Sequence, residues 1–340
     1  MALEQLGVTI YGVAPRIGKA GKLSLAARHL LGLGGRLSST EQLLRGAAAR
    51  REHAQQVNRA IETLGIRDVL HMGTLDLPAV DRLGARHYVY CDQTWDLSLR
   101  HRPDASDYPE RARREFEALE HAAFASAEHI FTFGTYVRDN LVEHYGIDPA
   151  RVTAVGSGMG AIEPYAGPKD YSRPWLMFVA KHLFQAKGGP LLLDAVDIAR
   201  RQIPDLRLTI VGDERSRRFV PDLPHIDFRA HLPWAELQQL YRDVTLLTQP
   251  MLNDPWGQVY LEALVSRTPV LGLNRNGLPE ITQGGLHGFL VDEADSKCLA
   301  EVLIEALRDP SRLSAMGLSG QRHAIDSYSW NRVAEMVAYE

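Results

Sequence analysis

The stretch Asn253-Asp254-Pro255-Trp256-Gly257-Gln258-Val259-Tyr260-Leu261-Glu262-Ala263-Leu264, closely followed by the apolar run Thr268-Pro269-Val270-Leu271, decides how this chain is read. Asp254 stands ahead of a helix that opens at Gly257, and Glu262 lies inside that helix with seven residues intervening. Pro255 fixes the entry, Gly257 lets backbone amides approach a ligand, and the first turn leaves N–H groups unpaired with a partial positive charge. Such an end suits a pyrophosphate, with two carboxylates placed for the hydroxyls of a polyol. Without a ligand, the same residues make an ordinary capped helix in which Asp254 complements the macrodipole and Glu262 is solvated. On spacing alone the two readings stand level.

Working outward, 340 residues exceed one ordinary core, and two domains are the default. A formal charge of −4 argues against a dedicated nucleic-acid binder. Basic clusters such as Arg111-Ala112-Arg113-Arg114 are interleaved with glutamates and mark a solvated helix face. Two distant cysteines, Cys91 and Cys298, form no metal or redox pair and imply a reducing cytoplasm. No apolar run reaches the length of a membrane span, and the first residues do not open a signal peptide.

Strands alternate with helices almost throughout. Runs at 8–13, 69–72, 87–91, 129–133 and 152–155 read as strands, and 40–64, 110–125 and 135–145 read as helices, the first capped by Ser39 or Thr40 and the last stopped by Gly146. After the linker Pro164-Tyr165-Ala166-Gly167-Pro168-Lys169 the pattern restarts, with strands at 175–179, 206–211, 226–229, 245–249 and 269–273. This predicts two doubly wound α/β domains. In the second, polar residues fall at strand ends, where open parallel sheets bind ligands. Lys181 follows one strand, Lys187-Gly188-Gly189 opens the next helix, and Gly212 ends another strand. Two ammonium groups near a helix start are suited to a diphosphate. A lone strand-end lysine is more often simply solvated.

The order Phe178-Val179-Ala180-Lys181, Lys187-Gly188-Gly189, Leu208-Thr209-Ile210-Val211-Gly212, the Asp254–Glu262 motif, Thr268-Pro269-Val270 and Gly277-Leu278-Pro279-Glu280-Ile281 resembles the retaining GT-B glycosyltransferases with an E-x7-E motif. The closing Tyr328-Ser329-Trp330 resembles that family's final helix. The resemblance implies a GT-B fold of two Rossmann-like domains facing a cleft. An acceptor domain is expected at 1–167, a nucleotide-sugar domain at 168–325 and a helix crossing back at 326–340. It also implies transfer of a hexose from a UDP- or GDP-linked sugar to an acceptor hydroxyl, with the donor as co-substrate, no cofactor and no metal. Lys181, Lys187 and the backbone of Gly257, Gln258 and Val259 would hold the diphosphate, Glu262 the ribose, and Asp254 the transferred sugar. Gly212, His231 and Asp254 would set donor choice.

This chain departs from the family pattern in carrying Asp254 where glutamate is usual and Lys181 where arginine is usual, which shortens one side chain and removes a bidentate fork. In the first domain Asp92 falls nearest the position of a polar residue that meets the acceptor, and a turn-capping role is equally compatible with it. Trp95 is read as a sugar-stacking ring or a packing anchor, and His71 and His87 as satisfied strand residues. The thirteen histidines show no metal-ligand spacing. Gly156-Ser157-Gly158-Met159-Gly160 lacks a full dinucleotide fingerprint and reads as a flexible interdomain turn. The start at Leu3-Glu4-Gln5-Leu6-Gly7-Val8 resembles the end of the family's first helix and its second strand, so the usual first strand is expected to be missing. The acceptor is expected to be a glycan, a lipid-linked sugar or a small molecule, reached in the cytoplasm or peripherally at the inner membrane face. The rival readings are a GT-B epimerase or phosphorylase, or a nucleotide-sugar-binding scaffold without transfer.

Overall fold

A computed structural model describes residues 2–19, 21–23, 25–27, 40–76, 84–101, 108–181 and 183–339. The chain divides into two compact units, Met1–Gly156 with Ala334–Glu340, and Ser157–Val333.

In the first unit four parallel strands lie side by side in chain order: β1 (Asp68–Met72), β2 (Arg86–Cys91), β3 (His129–Thr132) and β4 (Val152–Ala154). The interior strand β3 is buried at every position, as expected of a strand covered on both faces. Helices Ala47–Leu64, Glu110–Ser126 and Thr135–Glu143 supply the apolar cover, with Val57, Ile61, Phe124 and Leu141 meeting Val89 and Ile130. Gly65 at φ +64 closes the first of these helices by donating its N–H to Ile61 O. The single helix expected over 40–64 is two, Thr40–Arg45 and Ala47–Leu64, because Gly46 is extended at ψ 161. Of its expected caps, Ser39 lies outside the described residues.

Residues 8–13 do not form the expected strand. Among the described residues no strand pairs with them, and Val8, Tyr11 and Val13 are exposed. β1 therefore stands at one end of the strand order, with Leu70 36% and Met72 71% exposed.

The core of this unit contains a charged hub. Glu120, only 5% exposed, accepts from the Trp95 N–H and the Tyr145 hydroxyl (both 2.6 Å) and from the Thr74 hydroxyl (3.4 Å). Arg50, also buried, donates to Thr74 O (2.6 Å). Burial pushes the Glu120 carboxyl up against the opposing pull of Tyr145, Trp95 and Arg50, and pulls Arg50 down to about 10. Trp95 is the packing anchor of the two readings: it is 2% exposed and lies 5.4 Å from Phe116, edge to face.

In the second unit six parallel strands run in the order β10-β9-β8-β5-β6-β7: β5 (Trp175–Lys181), β6 (Arg207–Gly212), β7 (Ile226–Ala230), β8 (Leu246–Thr248), β9 (Val270–Leu273) and β10 (Gly288–Val291). β5 is central, and the winding reverses between it and β8, which makes a topological switch point. The core joins Leu176, Phe178, Leu208 and Ile210 to Leu192, Val196 and Leu303 of the covering helices. Replacing Glu120 by alanine strands three donors in a dry interior and is expected to cost about 3 kcal/mol or more. Glu120→Gln retains acceptors and should cost far less. A carboxyl whose pKa is raised by folding contributes stability at low pH that is lost as pH rises through the folded value. In thermal denaturation, Glu120→Gln should therefore gain on the parent protein as pH rises above the ordinary carboxylate range.

Candidate active site

The second unit's sheet brings the predicted donor residues to the carboxyl ends of its strands. Lys181 closes β5 with φ +48, its side chain exposed and its carbonyl accepting from Asp213 N (3.0 Å) and the Ser216 hydroxyl (2.7 Å). Gly212 closes β6, and an added Cβ there would lie 3.2 Å from Lys181 O. His231 follows β7, exposed, at φ +50, its N–H donating to Gly212 O (3.2 Å).

Lys187 stands just before the helix Gly189–Ala199. The turn ahead of that helix passes through Gly188 at φ +83, where a Cβ would overlap the Pro250 carbonyl oxygen. Only glycine fits there. The Lys187 side chain is 7% exposed, and its ammonium lies 3.2 Å from Asp254 Oδ2. Asp254 Oδ1 accepts from Gly257 N (3.0 Å), the amide of the residue just ahead of the helix Gln258–Val265. Gly257 stands at φ +77. Gln258 points to the glycine-rich segment before it, donating to Gly158 O (2.6 Å), and Val259 is buried.

Glu262 lies one helical face further on. Its Oε2 accepts from the Tyr241 hydroxyl (2.8 Å), and a Cβ on Gly160 would come within 3.4 Å of its other oxygen. Burial raises its carboxyl, while Tyr241, Lys181 and Lys187 all draw it down, which places both lysines in its field. Tyr241, pushed well up by burial and by Glu262, stays a hydrogen-bond donor.

Further contributors were given no role from the sequence, and of these Gln249 lies outside every motif. Gln249 is fully buried, and its side-chain amide grips the Val179 backbone, Oε1 accepting from Val179 N (2.9 Å) and Nε2 donating to Val179 O (3.1 Å). The Tyr260 hydroxyl donates to Gln249 O (2.5 Å). Ser157 accepts from Trp256 Nε1 (2.7 Å), which with the Gln258–Gly158 bond ties this segment to the helix start, and Met159 N donates to Tyr328 O (3.1 Å) at the end of the helix Pro310–Ser327. The only early signal of this was the glycine spacing.

Asp92 lies in the first unit, exposed, directly after β2. Its carbonyl accepts from the Tyr136 hydroxyl (2.8 Å). His71 and His87 bond to one another (2.9 Å), and His71 bonds to Asp76 (2.6 Å). Among the described residues no group of three or more His, Cys, Asp or Glu side chains is placed to hold a metal.

The family model described as "Glycosyl transferases group 1" matches from Tyr165 to His323, which spans the whole of the site built around Lys187, Asp254 and Glu262. Residues 165–323 carry a glycosyl transferases group 1 domain. A D-inositol 3-phosphate glycosyltransferase of Rhodococcus opacus is 28% identical over 67% of this chain and 56% of its own length. A GDP-mannose-dependent alpha-(1-6)-phosphatidylinositol monomannoside mannosyltransferase of Mycolicibacterium smegmatis is 30% identical over 49% of this chain and 48% of its own. The chain thus spans about half the length of these curated relatives. Among solved structures, WaaG, a glycosyltransferase involved in lipopolysaccharide biosynthesis, superposes with a TM-score of 0.68 over 97% of both chains at 17% identity. The fold, two α/β units each built on a parallel sheet, is GT-B. Within the group 1 domain, Gly188→Ala should cost roughly 3 kcal/mol or more, since it meets both a steric overlap and a left-handed backbone. Urea denaturation of that variant measures it.

Proposed function

We propose that the chain is a retaining glycosyltransferase that moves a hexose from a UDP- or GDP-linked sugar to an acceptor hydroxyl, without a metal. The observation that carries this reading is the convergence of Lys181, Lys187, the N-terminus of Gln258–Val265 and Glu262 at the switch point of the second sheet. In support, the Mycolicibacterium smegmatis relative is named for its dependence on GDP-mannose and for an acceptor built on phosphatidylinositol.

In this reading the C1–O bond to the diphosphate breaks, and the acceptor oxygen bonds C1 from the face that the diphosphate leaves. Negative charge grows on the departing phosphate, and Lys181, Lys187 and the amides of Gly257, Gln258 and Val259 meet it. Glu262, held by Tyr241, accepts the ribose hydroxyls. Gly212 and His231 border the base, and Asp254 meets the sugar. Asp92 takes the acceptor's proton. Residues 1–167 bind the acceptor and 168–325 the donor. No helix among the described residues is long and apolar enough to cross a membrane. The proposed setting is the cytoplasm, with peripheral contact at the inner membrane face where the acceptor is lipid-linked.

Calorimetric and thermal-shift titration with UDP, GDP, ADP and their hexose conjugates tests the donor site, first without and then with magnesium. One nucleotide family should bind at about micromolar levels without metal. Lys181→Ala, Lys187→Ala and Glu262→Ala should each weaken that binding about tenfold or more. Unchanged affinity in all three would remove the site from the proposal. Asp92→Ala should retain donor binding and lose transfer, and full activity there would exclude it from the chemistry.

A further inference from the structure

A buried lysine has an electrostatic problem. Lys187 is 6% exposed, and a buried ammonium with no counter-charge is costly. The group that answers it is Asp254, whose two oxygens are both engaged, Oδ2 with Lys187 (3.2 Å) and Oδ1 with the N–H of Gly257 (3.0 Å). These partners, a buried cation and the free amide end of a helix, are the two that an incoming diphosphate would use.

We infer that Asp254 is the resident counter-ion of the phosphate site: it holds Lys187 and the helix start in place while the site is empty, and a donor diphosphate displaces it from both. The inference rests on the donor reading above. A diphosphate brings at least two negative charges against Lys181 and Lys187. Glu262 already stands in the field of both lysines, so with Asp254 left in place the negative charges outnumber the two ammonium groups, and its carboxylate turns away from Lys187 as the donor enters.

The side chain's length fits this role. Aspartate reaches the amide three residues on, at Gly257, and is among the short side chains favoured for such returns to the backbone. The backbone on either side is anchored, because Asn276 Nδ2 donates to Asp254 O (3.2 Å) and Gly277 N donates to Pro255 O (3.0 Å). Exchange of partners is thereby confined to the Asp254 side chain. Asp254 is in this sense a positioning residue, and occupancy by its own carboxylate sets the affinity that a free nucleotide must overcome.

The test compares the full chain with Asp254→Asn by calorimetry against UDP, GDP and ADP, and by thermal denaturation without ligand. Asp254→Asn should melt lower than the parent when empty, and should bind the preferred nucleoside diphosphate about tenfold more tightly, because no anion competes for Lys187. Asp254→Ser, which retains a short side-chain acceptor without the charge, repeats the comparison if the asparagine variant does not fold. Nucleotide affinity unchanged or weaker in the variant, with the parent binding normally, overturns the counter-ion role and leaves the donor reading standing. An unchanged melting temperature in the empty variant also overturns it. No nucleotide bound by either protein removes the donor reading and this inference together.

Discussion

The site depends on a ladder that stops early. β5 and β8 pair only at Leu176–Leu246 and Met177–Leu247, and beyond these residues the two central strands part. Gln249 takes over where the backbone pairing ends, its amide reproducing for Val179 the donor and acceptor that a neighbouring strand would have offered. A main-chain groove at the middle of a buried sheet would otherwise carry unmet polar groups. With the amide in place, the crevice between the strands stays open above a satisfied floor, and Tyr260 fastens the following helix to the same residue. Lys187, the start of the helix Gln258–Val265 and Glu262 all follow strands on either side of this crevice.

Much of the second unit was legible beforehand, because its strands are continuous apolar runs and its turns carry obligatory glycines. β5, β6, β7 and β9 fall where the runs at 175–179, 206–211, 226–229 and 269–273 placed them. β10 was not seen, since Gly288-Phe289-Leu290-Val291 is four residues long and opens on a glycine, too short for its period to register. The strand ends and helix starts that carry Lys181, Lys187, Asp254 and Glu262 could be read from the apolar runs and turn residues around them. Their partners could not. Tyr241 reaches Glu262 from a separate helix and Gln249 reaches Val179 across seventy residues, and a sequence pattern records neighbours along the chain, not across a sheet.

The first unit was harder to read for a different reason. The run at 8–13 has strand composition, but composition does not provide a partner, and without one the residues remain irregular. The Glu120 hub was equally hidden, because one glutamate among the many on 110–126 looks like any other surface charge until the fold turns it toward Trp95 and Tyr145. Burying a carboxylate there ties two helices and the loop after β1 to one atom pair. This specifies how those elements pack more sharply than an apolar contact would.

The position of β1 at the end of its sheet has a chemical consequence. An outermost strand presents a backbone edge and whatever side chains its outer face carries, and here that includes the thioether of Met72 at 71% exposure. Solvent-facing thioethers are oxidised to sulfoxides well before buried ones, and a sulfoxide is polar enough to change how an edge associates. The oxidation rate of Met72 in dilute peroxide is accordingly a built-in gauge of whether this edge is open or covered, readable by mass without any label.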